Sequence, residues 1–532
     1  MMRDVAILDC TLRDGGYCNK WNFGEKNIHR VIKGLVAANV EIIECGYITN
    51  KSVYLKGVTK FTQIEQIREF VPVMDAKQLF VAMVNYGEFD VDQIPACEET
   101  ALDGIRVAFH KKDLYSAMDF CQKIKDKGYL VFIQPMITMN YSDDEFYELL
   151  DLTNEVMPYA FYVVDSFGTM RKRALLHYFG MAQEKLQQNI TIGFHSHNNF
   201  QAAYANAVNL LDIKSRHKII IDVSVYGMGR GAGNLNTELF LNELNTEYGA
   251  EYQIKPILQL MDEVINRFYE ENPWGYSLPN YLSAAHLIHP NYANYLCRKN
   301  TLTLDAIDDI FHMINKEKAS EYDAAYIETL YEKYMSRGHI NNANMAEFKR
   351  SLTQHSVLLI APGKSSDKQK EFIRAFSEKY QPIIISVNHE YKFLPTDYIF
   401  VSNMRRFREI PEKNRSKFLV TSNIESDDIY MKIDYYSLLN SSKTVKDNAG
   451  LMALRFMINL GCKEIFLAGF DGYEYDTKKN YENRDLELAM SCDQIDDLNK
   501  GMGQVLEGIS KEINIKFITE SRFSSIGEKK MD

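Results

Sequence analysis

Short apolar runs recur through the first half of the chain, at residues 4–9, 41–45, 79–84, 104–109, 130–134, 161–165, 191–195 and 219–225. β-Branched and aromatic residues dominate them and polar turn residues bound them, as expected of strands buried on both faces. Between them the apolar positions shift to helical spacing, as in residues 26–39, 61–71, 114–128 and 143–157. Strand and helix thus alternate eight times, which predicts a (β/α)8 TIM barrel over residues 1–245. The competing doubly wound sheet usually has fewer strands and a glycine-rich turn after the first, where this chain places Arg13 and Asp14.

The pattern changes twice more. Residues 246–350 carry helical stretches (254–269, 303–315, 324–335) around the loop NPWGYSLPNY and read as a helical extension. Residues 351–532 return to α/β order, with apolar runs VLLIAPG, PIIISVN, YIFVSN, FLVTSN, EIFLAGFD and IKFITE and a strong helix over 445–460, predicting a Rossmann-like domain.

Composition narrows the function classes. A chain of 532 residues exceeds one core, and 46% hydrophobic with 25% charged residues is the balance of a folded enzyme. The net charge of −11 disfavours a nonspecific nucleic-acid binder, leaving small molecules or proteins as partners. Eight cysteines without a Cys-x-x-Cys pair read as reduced thiols. No apolar run approaches the roughly 20 residues of a membrane span and the first residues lack a signal-peptide core, so a cytoplasmic protein is expected.

Chemistry in such a barrel sits at the carboxyl ends of the strands, and polar residues do cluster there. Arg13 and Asp14 follow the first run, Glu44 stands at the end of the second, His110 follows the fourth, and Gln134 ends the fifth. Asp165 and Ser166 close the sixth, His195 and His197 the seventh, and Asn234 follows the eighth. His195 and His197 share a face because strand side chains alternate, so two imidazoles can chelate one ion. An isolated His-x-His pair is as readily a polar strand terminus; Asp14, which barrel closure brings near, turns the set into a site for Mn²⁺, Fe²⁺, Co²⁺ or Zn²⁺, with Asn234 as a further oxygen donor. Asn198 or Asn199 would cap the helix that follows.

The segments LDCTLRDGGY, IIECGY, GFHSHNN and YGMGRGAGNLNTE resemble the DRE-TIM metallolyases, the superfamily of 4-hydroxy-2-oxovalerate aldolase, HMG-CoA lyase and isopropylmalate synthase. The resemblance implies Asp14, His195 and His197 as metal ligands, Asn234 as ligand or near-ligand, and Arg13 as catalytic. It implies a divalent ion, manganese first with Mg²⁺, Co²⁺ or Zn²⁺ as alternatives, a 2-oxo acid and an aldehyde as substrates, and a homodimer. The aldolases have a histidine where this chain has Tyr17, so the general base is open among Tyr17, His110, Glu44 and metal-bound water. Glu44 can equally be the ion-pair partner of Arg13, while Gln134 and Ser166 are read as substrate-pocket residues. An acyl-CoA-dependent synthase is the alternative within the superfamily, although the loop YGMGRGAGN lacks the cysteine of the lyase branch.

In the second half, APGKSS follows the first strand but lacks a full Walker A pattern; Gly363 and Ser365 are its candidates for a nucleotide turn. The spacing of APGKS, VSN, TSN and the helix-strand segment ending LAGFD distantly resembles sialyltransferase-like domains of surface-glycan enzymes. That resemblance implies a nucleotide or nucleotide-sugar site, a setting in polysaccharide biosynthesis, or a transferase that uses the barrel as scaffold.

Overall fold

Nine parallel strands build the first sheet: β1 (Val5–Asp9), β2 (Ile42–Ile48), β3 (Lys60–Phe61), β4 (Leu79–Asn85), β5 (Gly104–Phe109), β6 (Leu130–Pro135), β7 (Ala160–Asp165), β8 (Thr191–Ser196) and β9 (Ile219–Val223). β1 pairs with both β2 and β9, which closes eight of them into a barrel and leaves β3 beside β2. In this computed structural model the described residues are 5–72, 77–299, 301–338, 340, 343–426, 428–482 and 492–527. Among them no helix is long and apolar enough to cross a membrane.

Leu8, Ile42, Val81, Phe132, Ala160, Tyr162 and Ile220 fill part of the barrel interior. Outside it, Ile28, Val31, Ile32 and Leu35 form the buried stripe of helix Glu25–Ala37, each burial contributing about 1.5–3 kcal/mol. The helix expected over residues 61–71 is a 3₁₀ segment, Ile64–Glu69. Pairing of Lys60 and Phe61 with Tyr47 and Ile48 keeps the start of that stretch extended, and the Gln63 cap begins the helical turn only afterwards. β2 runs on to Ile48, so Glu44, expected at the strand's end, lies inside it, and the β2–β4 register shifts between Glu44 and Tyr47. Gly46 sits there at φ 150°, where an added Cβ would lie 2.3 Å from the Thr59 carbonyl oxygen.

The chain divides into two units, Met1–Asn294 with Lys316–Tyr322, and Tyr295–Asn315 with Asp323–Asp532. The helical stretch read as one extension is therefore shared: Ile254–Leu260 belongs with the barrel, whereas Leu304–His312 and Ala324–Met335 belong to the second unit. Within that second unit the Tyr331 hydroxyl donates to Asp447 at 2.5 Å, tying helix Ala324–Met335 to the α/β region.

The second unit's sheet is also parallel, with β10 (Val357–Ile360), β11 (Ile383–Val387), β12 (Tyr398–Val401), β13 (Phe418–Thr421), β14 (Met431–Ile433), β15 (Glu464–Ala468) and β16 (Asn514–Phe517) in the spatial order 14-13-12-11-10-15-16. Its strong helix runs Ala449–Asn459, starting later than expected because the Asn448 side chain caps it by accepting from the Leu451 amide at 3.2 Å.

Candidate metal centre

The residues after β1 turn sharply. The Arg13 and Asp14 amides both donate to the Cys10 carbonyl, at 3.1 and 2.8 Å, and the Trp21 indole holds the Arg13 carbonyl at 2.8 Å. This folds Asp14 back over the barrel mouth. His195 stands on β8 and His197 just beyond it, where it forms an isolated bridge with Asn234 of the glycine-rich loop. One ligand atom each from Asp14, His195 and His197, all buried, lie within 4.8 Å of one another.

Several features suit a cation here. The Asn234 amide donates to Asp14 Oδ2 at 2.7 Å, while its Oδ1 is buried without a hydrogen-bond partner. The cluster sets two guanidiniums, Arg13 and Arg106, against three carboxylates, Asp14, Glu44 and Asp222. One formal negative charge is left over, which a divalent ion would reverse. Gly229 leaves the room: an added Cβ would lie 2.3 Å from Asn234 Nδ2 and 2.8 Å from Asp14 Oδ2.

Protonation states agree with that fit. Burial opposes ionisation of Asp14, but Arg13, His197 and His195 hold its carboxyl well below the usual carboxylate range. Burial pushes His197 down to about 3 against the pull of Asp14, so its imidazole is neutral at physiological pH. Burial likewise opposes ionisation of Asp222, and Arg106 with His195 overcomes it.

His195 Nδ1 lies 2.9 Å from ionised Asp222 Oδ2, which fixes the proton on Nδ1 and leaves Nε2 for an ion. Arg106 also pairs with Asp222, donates to Glu44 at 2.8 Å, and lies 4.9 Å from the Tyr162 ring centroid. Glu44 takes Arg13 Nε at 2.9 Å on the same oxygen, so its carboxylate orders both arginines. Asp222→Asn should therefore weaken Mn²⁺ binding about 10–100-fold in calorimetry without removing a ligand; unchanged affinity would assign Asp222 to folding alone.

The other predicted residues are distributed around this centre. Gln134 is buried at the end of β6 with its Nε2 unpartnered. The Ser166 hydroxyl accepts from the Ile137 amide at 2.9 Å, and its carbonyl accepts from Arg230 at 3.1 Å. Tyr17 is 42% exposed, edge-on to Trp21 at 4.7 Å, with the Arg230 guanidinium 5.5 Å from its ring centroid. Desolvation raises its phenol pKa despite Arg230. His110 follows β5, where burial lowers its pKa; its charged neighbours are Glu321, Lys112 and Asp113 rather than the Asp14 cluster. The following helix, Ala203–Leu211, has Ala202 rather than an asparagine at its cap position; Asn198 accepts from its first amide, Ala203, at 3.2 Å, whereas Asn199 anchors the glycine-rich loop through the Ala232 amide at 2.8 Å. In the second unit, Gly363 lines a cavity, while Ser365 turns its amide and hydroxyl to Asp471 and its hydroxyl to Thr519.

Sequence reasoning missed Asp222, Arg106 and Arg230. The signal for the first two was a lone charge inside an apolar strand, IIIDV and GIRVAF.

Residues 4–263 match the HMGL-like family model. The chain is 26% identical over 248 residues to oxaloacetate decarboxylase of Mycobacterium tuberculosis, covering 46% of this chain and 70% of that protein. It is 25% identical over 279 residues to 4-hydroxy-2-oxovalerate aldolase of Geobacillus genomosp. 3, covering 49% and 80%. Among solved structures, hydroxymethylglutaryl-CoA lyase from Pseudomonas aeruginosa is similar at 15% identity and a TM-score of 0.42, over 51% of this chain and 94% of that one.

Proposed function

We propose that the chain, whose residues 4–263 match the HMGL-like family model, is a divalent-metal-dependent carbon-carbon lyase of the DRE-TIM metallolyase type acting on a 2-oxo acid through a pyruvate-type enolate. The observation that carries this reading is the convergence of Asp14, His195 and His197 beside Arg13. Held by those three ligands with Asn234 Oδ1 nearby, a divalent ion, Mn²⁺ by preference, supplies Lewis-acid polarisation of the substrate carbonyl.

The chain's own residues supply the rest. Arg13 is fixed by Glu44 through Nε and by Asp14 through one terminal nitrogen, while its other terminal nitrogen is buried and unpartnered. That donor is set in advance for the oxygen on which charge develops, and it needs no reorganisation when the bond breaks. In an aldol cleavage, a water molecule takes the 4-hydroxyl proton, the C4 oxygen becomes the carbonyl of the released aldehyde as the C3–C4 bond breaks, and the electron pair of that bond passes to C3 and the C2 oxygen. Protonation at C3 then yields pyruvate. Oxaloacetate decarboxylation, named for one relative, reaches the same enolate by losing carbon dioxide, so one oxyanion site serves both bond cleavages. Arg230 adds a cation at the rim for a substrate carboxylate.

Tyr17, with its raised pKa, acts as a neutral phenol that hydrogen-bonds the 4-hydroxyl rather than as a resident base. Tyr17→Phe should lower pyruvate release from 4-hydroxy-2-oxopentanoate about 10²-fold. It should leave deuterium exchange into pyruvate, which has no 4-hydroxyl, within about threefold. Equal losses in both assays would place Tyr17 at the enolate instead. The overall reading is tested by supplying that substrate with Mn²⁺ and following pyruvate release, since none from either the hydroxy-oxo acid or oxaloacetate would refute it. The glycan-sugar setting draws its support from the fused second unit.

A further inference from the structure

The second unit holds a cavity of about 530 Å³ that the barrel chemistry leaves unused. It lies at the carboxyl ends of β10, β11, β12 and β15, where Gly363, Asn388, Asn403 and Gly469 line it. The chain winds outward from β10 to β14 and then returns to place β15 on the other side of β10. Connections diverge at such a reversal, leaving the crevice in which open parallel sheets bind ligands. The backbones pack closely beneath it: an added Cβ on Gly363 would lie 2.3 Å from the Gly469 carbonyl oxygen.

Its charge is asymmetric in a useful way. Arg298, Arg405 and Lys443 line the cavity and, among the described residues, pair with no carboxylate. Of the three lining aspartates, Asp447 accepts from the Tyr331 and Tyr435 hydroxyls at 2.5 and 3.2 Å, and Asp471 accepts from the Ser365 amide at 2.7 Å and the Ser365 hydroxyl. Those carboxylates are committed internally, and the third is Asp497. The first turn of helix Ala449–Asn459 adds Ala449 and Gly450 to the wall, bringing first-turn amides and the positive end of a helix dipole. Opposite chemistry is present as well, since Phe470, Tyr473 and Tyr481 also line the cavity, the two tyrosine rings 6.4 Å apart. A volume in the range of small-molecule sites, lone cations and aromatic faces together fit an anion joined to a flat ring.

We propose that this cavity binds a nucleoside phosphate, with the phosphates against Arg405, Lys443 and the helix start and the base against the aromatic residues. Calorimetric titration of the full chain with CMP, UDP, GDP and ADP, and with inorganic pyrophosphate, tests this. At least one nucleotide should bind with a Kd of about 100 µM or tighter, and pyrophosphate at least about tenfold more weakly. Lys443→Ala, with unchanged Tm, should raise that Kd about tenfold by removing one charge-assisted contact. Arg405 also donates to the Leu302 carbonyl at 3.2 Å, so Arg405→Lys, which retains charge but not the fork, is the second variant and should weaken binding by a smaller factor. No heat from any nucleotide at millimolar concentration, pyrophosphate binding as tightly as the best nucleotide, or an unchanged Kd in Lys443→Ala would each overturn the proposal. The readout is binding, so its outcome is independent of whether the barrel cleaves 2-oxo acids.

Discussion

Asp14→Asn should abolish Mn²⁺ binding and lower pyruvate release by about 10³-fold or more, while the metal-free protein still melts cooperatively, at a lower temperature because the buried Arg13–Asp14 pair is lost. The substitution removes the one carboxylate of the proposed ligand set and keeps the side chain's size. It also leaves two guanidiniums facing two carboxylates, Glu44 and Asp222, so the metal-free cluster loses its excess negative charge and with it the attraction for a cation. Folding and metal binding therefore separate in this variant. Calorimetry with Mn²⁺, a pyruvate assay and a thermal melt check it; activity retained at more than about a tenth of the parent would mean that Asp14 is not a ligand.

Arg106→Met carries the largest expected cost to stability. Arg106 is fully buried and bridges Glu44 and Asp222, both buried as well. Removing the cation leaves Asp222 without its guanidinium and Glu44 with Arg13 alone, a loss of about 3–5 kcal/mol when one side of a buried ion pair is deleted. The melting transition should fall by about 6–20 °C. Adding Glu44→Gln and Asp222→Asn should recover much of the loss, because no unpaired charge then remains. A triple variant no more stable than Arg106→Met would show that shape, not charge, sets the cost.

The barrel was legible because its strands are short apolar runs separated by helical periodicity, and closure alone brings the β1 turn within reach of β8. Asp14, His195 and His197 followed from that geometry and from strand alternation. Arg106 and Asp222 did not, since each is one charge in an apolar run and its partners lie on strands 62 and 27 residues away or more. Arg230 was hidden among glycines whose loop path no periodicity predicts. β14, only three residues long with Lys432 in its centre, is too short to show a pattern. The late start of helix Ala449–Asn459 is the work of Asn448, a local cap that outweighed the apolar Val445. Asn199 looked like a helix cap because that is the common use of an asparagine there, but the tertiary fold gives it the glycine-rich loop to hold.

Proton NMR of pyruvate in deuterated water tests the enolate reading most directly, because exchange needs the metal site and Arg13 but neither an aldehyde nor the Tyr17 contact. Protein stripped with EDTA should leave the methyl signal intact, and restoring Mn²⁺ should make it decay, with Asp14→Asn remaining silent in both conditions. A methyl signal that persists with Mn²⁺, Co²⁺ and Mg²⁺ alike, or one that decays equally in the stripped protein, would contradict the account.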